Sequence, residues 1–129
     1  MKDCIFCKII AGELPSFKID ENDDFLAFLT IGPFTSGHTL IIPKKHYRWI
    51  DDVPNFSSLW KFTHTVSKKI KKNLSPDFIS YLTLGNEVHH AHIHIIPRYQ
   101  NDKLIGLYQG LENKMSSKQL QKIADKIKL

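Results

Sequence analysis

Residues 88–98 read Val88-His89-His90-Ala91-His92-Ile93-His94-Ile95-Ile96-Pro97-Arg98 and hold four of the chain's seven histidines. Successive side chains of a β-strand point to opposite faces. On that period His90, His92 and His94 line one face, and Ala91, Ile93 and Ile95 the other. The apolar face can pack on a core. The histidine face is expected to look into something polar, because a dry interior disfavours charged imidazole. Two chemistries suit imidazoles this close together. A neutral imidazole is a nucleophile that can bond covalently to phosphorus, with neighbouring donors holding the non-bridging oxygens. Alternatively, His-x-His on one strand chelates zinc, and a third ligand leaves an open position for water. Spacing alone does not separate the two. A second centre is Cys4-x-x-Cys7, two thiols at metal-ligand spacing that also fit a redox dithiol. A tetrahedral metal site there needs two more ligands.

The remaining pattern supplies the elements that position these groups. Ile5, Phe6, Ile9 and Ile10 recur at helical spacing over residues 5–11, and Gly12 can end that helix. Strands are expected over 17–20, 25–29, 39–42 and 78–84, with a fifth carrying the histidines. Asp51 or Asp52 is expected to cap a long helix with Pro54 in its first turn. Its stripe is Phe56, Leu59, Trp60, Thr63, Val66, Ile70 and Leu74, with His64 beside it at the surface. Gly85-Asn86 signals a tight turn, hence a hairpin between strands four and five. Residues 101–113 read as irregular. Ser116 or Ser117 can cap a last helix with Leu120, Ile123, Ala124 and Ile127 on its apolar face. Strands around one main helix imply an α+β domain with an antiparallel sheet.

A chain of 129 residues and 14.9 kDa is expected to form one domain over 1–129, with its core in about 4–98 and a C-terminal extension and helix in 99–129. The net charge of +5 favours anionic partners such as phosphates. Lys68, Lys69, Lys71 and Lys72 fall near the end of the long helix, where they complement its dipole. Basic and aromatic residues do not interleave, so no nucleic-acid partner is expected. No apolar run approaches the ~20 residues that span a bilayer, and no signal segment opens the chain. A cytoplasmic protein without a membrane partner is the expectation.

The histidine block resembles the His-φ-His-φ-His-φ-φ signature of the histidine-triad (HIT) family, where φ is apolar: His90-Ala91-His92-Ile93-His94-Ile95-Ile96 fits it throughout. Pro97-Arg98 resembles the bacterial and archaeal branch. Two more blocks, 37–46 and 4–15, resemble other recurring segments of that family and come in the right order. The resemblance implies a HIT-like fold: a five-stranded antiparallel sheet, one main helix and short terminal helices, paired as a homodimer. It implies nucleotidyl transfer to His92 and then hydrolysis, with His94 and His38 on the phosphate and His90 orienting His92. The implied substrate is a purine nucleotide or nucleoside phosphate: a phosphoramidate, an adenylate or a dinucleoside polyphosphate. No organic cofactor is implied. Similar zinc-bearing members hold a structural zinc on the positions filled here by Cys4, Cys7, His46 and His90.

The same resemblance places Ile5, Phe6, Ile9 and Phe28 around the base, although each also suits a plain core. Two departures stand out. Thr30 occupies the position of a ribose-gripping carboxylate. A neutral hydrogen bond is worth about 0.5–1.5 kcal/mol against roughly 1.5–3 for a charge-assisted one, so a weaker hold on the sugar is expected. The loop before the histidines is also short, leaving Asn86 and Glu87 as the phosphate-contacting candidates. These departures keep a second class open, a nucleotide-binding or partner-binding module with little turnover.

Overall fold

The computed structural model describes residues 3–104 and 114–128. Nine of the thirteen residues in the expected irregular stretch 101–113 lie outside them. The element order is α1 (Ile5–Ile10), β1 (Phe17–Glu21), β2 (Phe25–Leu29), β3 (Thr39–Pro43), a 3₁₀ turn (Ile50–Asp52), α2 (Phe56–Leu74), β4 (Phe78–Leu82), β5 (Ile93–Arg98) and α3 (Ser117–Lys128). The strands form one antiparallel sheet in the order β1-β2-β3-β5-β4.

Both faces of the sheet centre are covered, so β2, and β3 after Thr39, read as unbroken apolar runs instead of alternating. Phe25, Ala27, Ile41, Ile93 and Ile95 pack against Leu59, Phe62, Val66 and Ile70 of α2. Leu26, Phe28, Leu40 and Ile42 form a second cluster on the opposite face with Phe6 of α1. Burying each such side chain stabilises the fold by roughly 1.5–3 kcal/mol. In β5 the period of two then places His94 on the α1 face, opposite the face given to Ile93 and Ile95.

Several expectations need correction. The fifth strand begins at Ile93, so His90 and His92 precede it. Their neighbourhood bonds elsewhere: the Ala91 N–H donates to the Tyr47 carbonyl at 2.7 Å, and the Thr83 hydroxyl to the His92 carbonyl at 2.6 Å. Gly85-Asn86 does not close a tight hairpin. β4 and β5 are antiparallel neighbours, but β4 stops at Leu82 and residues 83–92 connect them. Neither Asp51 nor Asp52 caps α2; both lie in the 3₁₀ turn, and Asn55 holds the N-cap position without a side-chain bond. Phe56 and Leu74 of the expected stripe are exposed, while Phe62 is buried.

The helix ends follow from local chemistry. The Cys4 Sγ accepts from the Cys7 N–H at 3.3 Å and starts α1. Ser75, left-handed at φ 52°, and Pro76 end α2. Ser116 and Gln119 cap α3 reciprocally at 3.2 and 2.9 Å. Leu120, Ile123 and Ile127 of α3 are exposed. Among the described residues no helix is long and apolar enough to cross a membrane.

Candidate functional site

His38, His90, His92 and His94 converge on the α1 face of the sheet; backbone groups decide which nitrogen carries a proton on the first three rings, and His38 decides it on His94. His90 lies 2.8 Å through Nε2 from the Pro43 carbonyl, at the end of β3. A carbonyl only accepts, so Nε2–H donates and Nδ1 keeps its lone pair. His92 lies 2.7 Å through Nδ1 from the His90 carbonyl. Its Nδ1 therefore donates, and Nε2 of the neutral ring is left with a free lone pair. The Phe34 N–H donates to Nδ1 of His38 at 3.1 Å. That makes His38 the Nε2–H tautomer, donating to Nδ1 of His94 at 2.9 Å. His94 in turn carries its proton on Nε2.

The elements hold these rings closely. Leu40 of β3 and His94 of β5 are register partners, which brings His38, two residues before Leu40, alongside His94. Gly37, at φ +90°, turns the chain into β3. A Cβ there would meet Leu74 Cδ1 at 2.5 Å and Pro97 Cγ at 3.3 Å, so the turn requires glycine. The Thr35 hydroxyl ties the preceding loop to the Pro97 carbonyl at 2.6 Å. Phe6 stands edge-on to both His90 and His92, with centroids 5.8 and 5.3 Å away.

The site is drier than the sequence suggested. His38, His90 and His92 are 2%, 0% and 6% exposed. Instead of facing solvent, they find their polar partners in backbone groups and in one another. Burial lowers the proton affinity of all four rings. It brings His90 and His94 down to about 4, with neighbouring imidazoles adding to the effect. His38 and His92 are lowered for the same reason. The neutral, nucleophilic form is thus the one the fold selects near pH 7.

Cys4, Cys7, His46 and His90 form a second cluster, with one donor atom from each lying within 4.8 Å of the others. The Nδ1 atoms of His46 and His90 are 3.1 Å apart, and Cys7 Sγ lies 3.3 Å from the first and 3.5 Å from the second. Cys4 Sγ is 3.4 Å from His90 Nδ1. Because His90 spends its Nε2 proton on Pro43, its lone pair faces two sulfurs and another imidazole. That donor set can hold a metal ion, and His90 belongs to both clusters. Burial and the Cys4 thiol together push the Cys7 thiol up to about 11.

The substrate candidates are more dispersed. Phe6 and Phe28 meet edge to face at 5.7 Å, and Ile9 packs beside them. Ile5 is exposed and lines a cavity of about 530 Å³ with Cys4, His46 and Glu87. Thr30 follows β2; its N–H donates to the His38 carbonyl, and its hydroxyl accepts from the Gly32 N–H at 3.3 Å. Asn86 is exposed on the 83–92 loop. Glu87 faces the cysteine-side cavity, whereas His92 lines a different one with Arg48, Trp49 and Thr83. The carbonyls of Pro43 and His90 and the amide of Phe34 escaped sequence reasoning, since a backbone group leaves no residue-type signal.

The HIT domain family model matches residues 11–101. A HIT-like protein of Methanocaldococcus jannaschii is 40% identical over 117 residues, 85% of this chain and 90% of that protein. The adenosine 5'-monophosphoramidase HNT1 of Saccharomyces cerevisiae is 40% identical over 114 residues, 83% of this chain and 68% of that one. The crystal structure of SMU.412c from Streptococcus mutans superposes with a TM-score of 0.89 at 32% identity, covering 99% of this chain and 85% of the other. A Zn-bound histidine triad family protein from Mycobacterium smegmatis gives 0.74 at 32% identity, covering 80% of each chain.

The lowered affinity of His94 sets a stability profile. Its unfolded imidazole takes a proton near pH 6.5, while the folded one waits until about 4. The unfolded state therefore binds more protons in that window, and stability falls as pH drops through it. Urea unfolding between pH 7 and 4 should show wild type losing more stability than His94→Asn. Parallel curves would remove His94 as a cause.

Proposed function

The chain belongs to the HIT family, and on that premise we propose that it is a nucleotide hydrolase or transferase that cleaves a phosphorus-linked bond at a nucleoside α-phosphate. The observation that carries the reading is the 2.7 Å contact between His92 Nδ1 and the His90 carbonyl. It leaves Nε2 of a neutral, 94% buried imidazole as a nucleophile.

In this reading Nε2 attacks the α-phosphorus, a P–N bond to His92 forms, and the bond to the leaving group breaks. The leaving atom keeps the bonding electron pair and takes a proton. His94, with its proton on Nε2, donates to a phosphoryl oxygen or to that leaving atom. His38 fixes the His94 tautomer from β3. Water then cleaves the nucleotidyl-histidine. The base is assigned to Ile5, Phe6, Ile9 and Phe28 and the phosphate to Asn86 and Glu87; of these, Phe6 and Phe28 are buried and Glu87 lies on the cysteine-side cavity. The activity named for the yeast relative supports the reading. We take the domain to span 1–129, to work as a homodimer that covers a sheet edge, and to reside in the cytoplasm, where thiols stay reduced.

Thr30 supports a second reading, a binding module with little turnover. Its hydroxyl already accepts from Gly32, and as a neutral group it holds a ribose less firmly than a carboxylate would. Incubation with adenosine phosphoramidate separates the two. Wild type is expected to release AMP and, after rapid quench, to show an AMP-sized mass addition. His92→Ala should show neither while keeping its circular dichroism. Undiminished AMP release by the variant would end the nucleophile assignment.

For the second cluster we propose a structural zinc on Cys4, Cys7, His46 and His90. Zn–N near 2.0–2.1 Å and Zn–S near 2.3 Å imply tetrahedral edges of about 3.3–3.8 Å, which four of the six donor separations, at 3.1–3.5 Å, approach, with all six within 4.8 Å. A bound zinc would fix the thiols as thiolates and tie α1 to the histidine segment. Elemental analysis should find about one zinc per chain, and chelation should lower the melting temperature. Metal-free protein that melts unchanged would exclude the site.

A further inference from the structure

The backbone of His92 lies just outside the sheet. The last pair of the β4–β5 ladder is Leu82 with His94, and β3 reaches β5 no further than Ile41 with Ile93. Among the described residues no ladder pair includes residues 90–92. Yet the bond from the His92 Nδ1–H to the His90 carbonyl needs that stretch fixed. It spans two residues, so rotation of either intervening peptide carries ring and carbonyl apart. Three other bonds stand in for the ladder. The His90 Nε2–H donates to the Pro43 carbonyl, and the Ala91 N–H to the Tyr47 carbonyl at 2.7 Å. Both acceptors belong to the chain leaving β3. The third bond comes from the β4 side, where the Thr83 hydroxyl donates to the His92 carbonyl at 2.6 Å.

Thr83 is itself held firmly. The Leu82–His94 pair anchors the chain just before it, and the Arg48 guanidinium donates to the Gly85 carbonyl just after it. The side chain is half-buried, and as a β-branched residue it is stiff about χ1. We propose that Thr83 is a positioning residue for the His92 nucleophile: its hydroxyl pins the His92 peptide so that the ring keeps its Nδ1–H on the His90 carbonyl. This rests on the reaction proposed above, in which Nε2 of His92 attacks phosphorus. Thr83 acts through the backbone and bonds no reacting atom. Without the hydroxyl the His92 carbonyl loses its partner, and residues 90–92 are held from the β3 side alone. The ring then drifts from the His90 carbonyl. The tautomer with its proton on Nε2, which has no lone pair there for attack, gains population. The hydroxyl proton is spent within the chain, so its loss should change substrate binding little.

The test uses Thr83→Ser, which keeps the hydroxyl, with Thr83→Val and Thr83→Ala, which remove it with and without the side-chain volume. With adenosine phosphoramidate, Thr83→Val and Thr83→Ala should form the AMP adduct about ten- to a hundredfold more slowly than wild type, the range that small misplacements of reacting groups cost. Their KM should stay near the wild-type value, and Thr83→Ser should recover most of the rate. Long-range proton–nitrogen correlation reads the tautomer with no substrate present. Wild type and Thr83→Ser should show His92 protonated at Nδ1, and the other two a mixture of tautomers. A hydroxyl that serves stability alone would lower the melting temperature and leave rate and tautomer unchanged well below melting. That result would overturn the proposal. So would a slow Thr83→Val beside a normal Thr83→Ala, since crowding would then be the cause, or a Thr83→Ser as slow as either. If wild type releases no AMP, the hydrolase reading fails, and the tautomer comparison still decides what Thr83 does.

Discussion

Two backbone carbonyls set the tautomers of His90 and His92, on which the rest of the site depends. Pro43 takes the Nε2 proton of His90, and His90's own carbonyl takes the Nδ1 proton of His92. Each contact is an ordinary hydrogen bond, worth about 0.5–1.5 kcal/mol in net stability. Its larger consequence is chemical. With one nitrogen committed, the other must present a lone pair, and the two rings present theirs in different directions of use. His90 faces sulfur and His46, and His92 is left with a nucleophilic Nε2. One residue thus couples the cysteine cluster to the triad, through side chain on one side and carbonyl on the other.

Dryness reinforces the selection. A ring that is buried and bonded to a carbonyl through one N–H has little use for a second proton. Burial, with the His92 and His38 rings adding to it, brings His94 down to about 4. The covering comes from Phe6 of α1, which is held by Phe28 of β2 on one side and meets the imidazoles edge-on. Packing of an N-terminal helix six residues long therefore bears directly on the protonation state of residues some ninety positions later.

Much of this was legible in the sequence. The alternation separated the histidines from Ala91, Ile93 and Ile95, although only His94 lies in the strand itself, and all five strands fell within a few residues of their expected places. The Cys4, Cys7, His46 and His90 set converges as the resemblance implied. What escaped has physical reasons. Gly85-Asn86 looks like a two-residue turn, but Thr83 and Ala91 spend their hydrogen bonds outside the ladder, so the connection widens to 83–92. Asp51 and Asp52 have the right chemistry for capping, yet a 3₁₀ turn and Pro54 intervene before α2 starts. Tautomers were invisible because carbonyl positions depend on the fold and not on residue type.

The central claim is a statement about protons, so nitrogen chemical shifts test it most directly. Long-range proton–nitrogen correlation of the histidine side chains near pH 7 should show His92 protonated at Nδ1 and bare at Nε2, with His38 and His94 protonated at Nε2. A His92 that carries its proton on Nε2, or a cationic His92 at that pH, would contradict the account.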